Sequence, residues 1–359
     1  MRARRIPAPD LGQLTAADLV GAVLLAPVRL AHTQIRKGTS VDAETADQLL
    51  TAARAGELLT DVRLAWPEPG DLHEDTAAQQ LALAVAGIGI EPRAPRQSRL
   101  DLVARWDGVL HVRVDALSRL NRIDPLEVFT LYHGQAVATG QVVGSIKVAP
   151  HLLPAAVVHQ GVRLAKEEGP LVEVRPYLPL EVGAIALEAL SGEALQRFEA
   201  GARMKLEALG SRFTGTTIVD VTNAVRAEAD VRSALVSMTR QRRLRIVLVG
   251  GVSAGDPLSP FYAALESLGG RVLRHGVPAH PGSMIWLGEL DQTRVLGLPQ
   301  CGMFTLATAA DLILPRLLTG EALGAAELAD LAHGGILGVE MRFRFPAYAR
   351  SLESPGEPP

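Results

Sequence analysis

The chain has 359 residues, 48% hydrophobic and 21% charged, which excludes a disordered polymer and allows two or three folded domains. A net charge of −3 and an aromatic content of 4% exclude a global field for nucleic acid or anionic membrane, and a base-stacking platform. The single cysteine, Cys301, excludes an internal disulfide and a multi-cysteine zinc site, and suits a reducing cytoplasm.

Arg2, Arg4 and Arg5 form a cluster too short for a binding tail. Pro7, Pro9 and Asp10 interrupt the chain just beyond them, so no signal peptide is expected, and no apolar run is long enough to predict a membrane span. Thr15 offers a cap, and Gly21 to Ala26 reads as a strand. Ile35 to Thr39 reads as a tight turn around Gly38. Asp42 opens a helix with Ala46, Leu49, Leu50 and Ala53 at helical spacing, and Leu58 to Trp66 alternates as a strand. After the Pro67–Asp71 turn, His73-Glu74-Asp75 leads another helix. Adjacent residues point in different directions on a helix, which argues against a metal triad, and acids suit a first turn. Contact with a ligand stays open.

Glu91 to Ser98, with Pro92, Arg93, Pro95 and Arg96, reads as an exposed loop. Arg99–Ala104 and Val109–Val114 alternate around Asp107-Gly108, which predicts a hairpin. Asp115 to Leu120 predicts a short helix, Val128–Leu131 and Val142–Val148 two strands, and Ala155–Ala165 a helix. Lys166 to Pro170 reads as a domain boundary. Beyond it strands and helices alternate: Val182–Leu187, Glu193–Leu209, Thr216–Val221, Ala227–Arg240 and Leu244–Val249. That order predicts a mostly parallel sheet covered on both faces, a three-layer α/β sandwich. The expected organisation is an α/β module over 1–95, a β-rich module with a helix over 96–168, the α/β domain over 169–340 and a tail over 341–359. Within the tail, Arg342 to Phe345 alternates like an edge strand, and no structure is expected for Ser354 to Pro359.

Ligands of parallel sheets sit at the carboxyl ends of strands, which is where Gly250-Gly251-Val252-Ser253-Ala254-Gly255-Asp256 falls. Glycines let the backbone present N–H groups to an anion, and Ser253 adds a hydroxyl. Pro257 suits the first position of a helix whose N-terminus favours negative charge. Asp256 either caps that helix or meets a phosphate through Mg²⁺. His275, His280 and Asp220 are further residues placed for this cleft, though lone loop histidines are more often incidental.

The same stretch resembles the Gly-Gly-Val-Ser-x-Gly-Asp loop of the molybdopterin-binding domain shared by molybdopterin adenylyltransferases and gephyrin-type molybdotransferases. Leu268 to Val277 resembles that family's Leu-Gly-Gly-x-Val-x-x-x-Gly-Val segment. Pro281-Gly282 resembles its Pro-Gly-Lys-Pro turn, and Val295 to Pro299 its Val-x-Gly-Leu-Pro-Gly-Asn-Pro turn. The resemblance covers roughly residues 180 to 320. It implies a pocket with Gly250 to Asp256 on one wall and Pro281, Gly282, Ser283, Gly297, Leu298, Pro299 and Cys301 on the other.

Three departures weaken the implied chemistry. The enzymes' Thr-Gly-Asp-Glu is Leu190-Ser191-Gly192-Glu193, their turn lysine is Ser283, and their Gly-Asn-Pro is Gln300-Cys301-Gly302. The whole chain is closer to a branch of stand-alone molybdopterin-binding proteins, in which Gly70 to Asp75 resembles a Gly-Asp-x-x-Glu-Asp segment. Gly297 to Cys301 there resembles a Gly-x-Pro-Gly-Cys turn, which would put Cys301 beside the ligand rather than in a core.

The resemblance implies a homo-oligomeric protein that binds molybdopterin or a molybdenum-cofactor form during biosynthesis, maturation or delivery. Its implied partners are molybdenum-cofactor biosynthesis proteins or a molybdoenzyme. Three alternatives stand beside it. One is an active molybdotransferase or adenylyltransferase using a nucleotide and Mg²⁺, with Asp256 and Glu193 as its acids. Another is a scaffold docking a molybdoenzyme or cytidylyltransferase. The third is a nucleotide-metabolism protein of the competence-damage type.

Overall fold

The computed structural model describes residues 1–30, 32–96, 98–187, 192–298 and 307–352. The chain is α/β with several sheets and folds into two compact units. The first comprises residues 1–105, 111–133 and 139–173; the second comprises 106–110, 134–138 and the chain from Val174 onward. Among the described residues no helix is long and apolar enough to cross a membrane.

In the first unit, Val62–Trp66 pairs antiparallel with Arg2–Ile6 and Val23–Leu24. The helix Ala43–Arg54 supplies Ala46, Leu49 and Leu50 to their core, and Asp42 caps it by accepting the Thr45 amide at 2.8 Å. A second, antiparallel sheet has the order Leu126–Thr130, Val142–Val148, Arg99–Ala104, Ile90–Pro92. The predicted hairpin around Asp107-Gly108 does not form. Arg99–Ala104 pairs with Val142–Val148, whereas Gly108–Val112 pairs with Ala136–Val137. The Trp106 indole donates to the Val174 carbonyl at 3.0 Å, and a Cβ on Gly108 would lie 2.0 Å from the Arg175 carbonyl oxygen. These two long-range contacts hold the turn open and overrule its local propensity.

The second unit is built on one six-stranded sheet. Its strands in chain order are β1 (Glu181–Ala186), β2 (Arg212–Ile218), β3 (Ile246–Gly250), β4 (Arg271–His275), β5 (Trp286–Leu290) and β6 (Thr293–Gly297). Their spatial order is β2-β1-β3-β6-β5-β4. The β2-β1, β1-β3 and β3-β6 pairs are parallel, and β6-β5 and β5-β4 are antiparallel. The sheet is therefore mixed rather than mostly parallel. The reason is local: Asp291-Gln292 joins β5 to β6 with Asp291 at φ 53°, and a two-residue turn joins only antiparallel neighbours.

Alternation along the central strands sends side chains to both faces. Val182, Ile246, Leu248 and Leu296 pack with α1 (Gly192–Glu207) and with α4 (Ala310–Leu318) through Phe198, Leu206 and Ile313. Ile185, Val247, Val249 and Val295 pack with α2 (Ala224–Val236) and α3 (Pro260–Ser267) through Val231, Leu235, Phe261 and Leu265. All five residues of β3 are buried, which explains its unbroken apolar run.

Two more expectations are corrected. Arg342 to Phe345 is not an edge strand: Val339–Arg344 is a 3₁₀ helix, with the Arg344 guanidinium donating to the Gly334 carbonyl at 2.5 Å. Asp256 does not cap a helix starting at Pro257. That helix starts at Pro260, and Ser259 caps it by accepting the Phe261 amide at 3.4 Å.

Candidate ligand-binding site

The parallel register sets Ala186 opposite both Ile218 and Gly250, and Val249 opposite Gly297. The carboxyl ends of β1, β2, β3 and β6 therefore share one edge of the sheet. β2 and β3 are each followed by a described loop and a helix, α2 and α3, whose N-terminal ends carry partial positive charge. This is where the ligands of such sheets collect.

Gly250 closes β3 with its carbonyl accepting the Leu187 amide at 3.1 Å. Gly251 follows at φ 76°, a left-handed conformation that turns the chain off the sheet. Val252 is buried, and its carbonyl accepts the Trp286 indole N–H at 3.1 Å. The Tyr262 hydroxyl donates to the Ser253 carbonyl at 3.0 Å, and the Ser253 hydroxyl accepts the Gly255 amide at 3.1 Å. Burial and then the Asp256 charge push the Tyr262 hydroxyl up to about 12, which keeps it a donor further into the alkaline range than an ordinary tyrosine. Asp256 is exposed and accepts the Leu258 amide at 3.1 Å, an Asx turn that ends the loop. The loop is thus latched on both sides. Among the described residues, the amides of Ser253 and Ala254 donate to no protein acceptor and are available to an anion.

The opposite wall comes from two turns. Gly282, at φ 111°, follows Pro281, whose carbonyl accepts the Ala309 amide at 2.9 Å. The Ser283 carbonyl accepts the Val277 amide at 3.0 Å, and its side chain is exposed. A Cβ on Gly255 would lie 3.1 Å from the Met284 methyl, so this turn touches the glycine loop. Gly297 ends β6, and the Leu298 amide donates to the Val249 carbonyl at 2.8 Å, beside the start of the loop. Pro299 and Cys301 lie outside the described residues, as do Leu190, Ser191, Gln300 and Gly302.

Among the acids, Glu193 is the second residue of α1 and is exposed. Asp220 follows β2 and accepts the Thr222 hydroxyl at 2.6 Å and amide at 2.9 Å, which hold its carboxyl below the usual range. Asn223 then caps α2 by accepting the Val225 amide at 3.1 Å. Among the described residues, no cluster of three His, Cys, Asp or Glu ligands includes Asp256, Glu193 or Asp220. A divalent cation at Asp256 would therefore have to draw ligands from a bound phosphate, as Mg²⁺ commonly does. His275 stands edge-on to Tyr262, with ring centroids 5.3 Å apart, and lines a cavity of about 290 Å³ with Pro257, Glu266 and Arg271. His280 is exposed and ties its backbone to Gly335 and Leu337, each at 2.7 Å.

Sequence reasoning missed Tyr262 and Trp286, which orient the loop without standing in it. Trp286 is one of three tryptophans and falls in an apolar run, the only signal that marked it.

The chain matches no protein-family model and no curated protein. Solved structures similar to it include two from molybdopterin biosynthesis. One is the molybdopterin biosynthesis MoeA protein from Pyrococcus horikosii, with 16% identity and a TM-score of 0.28, covering 69% of this chain and 79% of that one. The other is the molybdopterin biosynthesis enzyme MoaB from Thermus thermophilus, with 17% identity and a TM-score of 0.28, covering 40% of this chain and 98% of that one.

Proposed function

We propose that the carboxyl edge of the six-stranded sheet binds molybdopterin or a molybdenum-cofactor form. On this reading the chain is a cytoplasmic homo-oligomer that holds the cofactor during its biosynthesis, maturation or delivery. The second unit then serves as a three-layer molybdopterin-binding domain whose parallel core carries the ligand. The observation that carries the reading is the Gly250–Asp256 loop, which leaves the Ser253 and Ala254 amides unclaimed at the end of β3. Four motifs in the order of the resembling family support it. Gly251, Ser253 and Gly255 present backbone to the ligand, Pro281, Gly282 and Ser283 form the facing turn, and Gly297 and Leu298 stand at the end of β6 beside them.

No lysine stands where the family places one, and Asp256 is the one charged residue in the loop 250–256 and the facing turn 281–284. That balance favours holding a pterin over transferring its phosphate. In the enzyme alternative, Asp256, with Glu193 across the edge, would hold Mg²⁺ to neutralise phosphate charge.

Mass spectrometry of small molecules co-purifying with the full chain tests the binding. A pterin is expected with the wild type and absent from Gly251→Asp, which puts a carboxylate where the anion would lie. Equal retention by both proteins refutes the placement. Hydrolysis of adenylated molybdopterin that depends on molybdate, and is lost in Asp256→Ala while the pterin is kept, would establish the enzyme alternative.

A further inference from the structure

The first unit contains a cleft that the pterin-binding proposal does not use. Its volume is about 1310 Å³, and its walls carry Arg36, Arg93, Arg96, Arg99 and Lys147 against one acid, Asp101. The whole chain has a net charge of −3, so this excess is created by the fold and not by composition. Asp101 is already engaged: it faces the Arg99 guanidinium at 2.9 Å and accepts the Ser145 hydroxyl at 2.6 Å. Among the described residues, the side chains of Arg36, Arg93, Arg96 and Lys147 have no ion-pair partner. Like charges gathered around one concavity repel each other unless an anion sits among them.

These cations stand on a hydrogen-bonded frame. Arg99 and Lys147 are register partners on adjacent antiparallel strands, so their side chains share a face. The Arg93 amide donates to the Asp101 carbonyl at 2.8 Å, and the Arg96 amide to the Arg99 carbonyl at 2.8 Å. A frame of this kind lowers the ordering cost of binding.

A second cavity, of about 750 Å³, shares Arg36 and adds Lys37, Ser40, His73, Glu74 and Ser98. Glu74 is only 4% exposed. Its carboxylate accepts the Ser98 hydroxyl at 3.0 Å and lies 2.9 Å from His151 Nδ1. Gly38, at φ 79°, backs against it, and a Cβ there would lie 2.5 Å from the carboxylate. His73 Nε2 lies 2.9 Å from the Gly38 carbonyl, which fixes the ring. The His73-Glu74-Asp75 segment therefore lines a built polar pocket that opens onto the arginines. The cavity of about 750 Å³ is of the size that small-molecule sites reach, the arginine cleft is larger and open, and guanidinium groups match phosphate oxygens in pairs.

We propose that this cleft binds a phosphate-bearing small molecule of nucleotide size. Its phosphates lie among Arg36, Arg93, Arg96 and Lys147, and its hydrogen-bonding head lies beside Glu74. Nucleic acid fits less well: among the described residues no Phe, Tyr or Trp lines either cavity, and Glu74 and Asp75 would face its backbone. The proposal does not depend on the ligand of the second unit.

Calorimetry on the full chain at low salt, with ATP, GTP, pyrophosphate and a single-stranded oligonucleotide, tests it. One site for a nucleoside triphosphate is expected, with affinity falling as salt rises. Combined replacement Arg36→Ala, Arg93→Ala and Lys147→Ala should weaken it by roughly tenfold or more. All three side chains are exposed, so the variant is expected to melt like the wild type. Pyrophosphate binding as tightly as the nucleotides also supports the site and shows that phosphate alone is read. The proposal is overturned if no phosphate compound binds, if the triple variant binds as well as the wild type, or if only the oligonucleotide binds.

Discussion

Gly297 has no side chain because an indole lies across it. It stands opposite Trp286 in the β5-β6 register, and a Cβ there would lie 2.0 Å from Trp286 Nε1. The indole is fully buried, packs at 5.3 Å against both Phe261 and Tyr262, and donates to the Val252 carbonyl at 3.1 Å. One ring therefore fixes both the end of β6 and the start of the glycine loop. A glycine that reads as a ligand contact in sequence thus has a packing cause in the fold. Replacing Gly297 by Ala should force the ring away and loosen its bond to Val252. Overpacking of this kind costs about 1–3 kcal/mol. The urea midpoint followed by tryptophan fluorescence should fall accordingly, and an unchanged midpoint would show that the ring tolerates the methyl group.

The N-terminus of α4 shows how one buried charge organises two helices. Asp311 is 1% exposed and meets the Lys205 ammonium of α1 at 2.9 Å. It also accepts the Thr308 amide at 2.9 Å and the Tyr348 hydroxyl at 3.0 Å. Removing one member of a buried pair strands the other, at a cost of about 3–5 kcal/mol. Lys205→Met is expected to destabilise the protein by that order, and Lys205→Met with Asp311→Leu to recover much of it. Burial first, and then the Asp311 charge, raise the Tyr348 pKa well above its ordinary value. The folded state thus binds this proton more tightly than the unfolded one. The associated stability is complete below the unfolded value of about 10 and is lost as pH rises from there toward the folded value. Tyr348→Phe should flatten the alkaline limb of a stability–pH curve measured by urea denaturation; an unaltered limb would refute the coupling. None of this network was legible in sequence, because Lys205, Asp311 and Tyr348 are far apart in the chain. What was legible had local causes, such as Asp42 as a cap and the doubly buried run of β3. The helix start, by contrast, was placed too early, at Pro257. Asp256-Pro257 and Ser259-Pro260 are both a capping residue followed by proline, and the burial of Phe261, Ala264 and Leu265 selects the second.

The glycine loop of the second unit was legible because its residues are contiguous. The basic cleft of the first was not: in sequence Arg36 falls in a turn, Arg93 and Arg96 in a loop and Lys147 in a strand, and only the fold gathers them. The hairpin misreading has the same origin, since its two strands are claimed by different sheets. It also has a consequence for dissection of the chain. The second unit takes residues 106–110 and 134–138 from within the span of the first, so the chain passes from one unit to the other five times. Val109, Leu110, Ala136 and Val137 are buried, the Trp106 indole caps the Val174 carbonyl at 3.0 Å, and the Gln135 amide donates to the Phe343 carbonyl at 3.2 Å. A fragment beginning at Val174 would keep all six strands of the large sheet yet lose these contacts. Each hydrogen bond contributes about 1 kcal/mol, and each buried Val or Leu about 1.5–3 kcal/mol. The fragment should therefore unfold at a clearly lower urea concentration than the intact chain when the buried Trp286 is followed by fluorescence. A matching midpoint would mean that the inserted segments contribute nothing to the second unit.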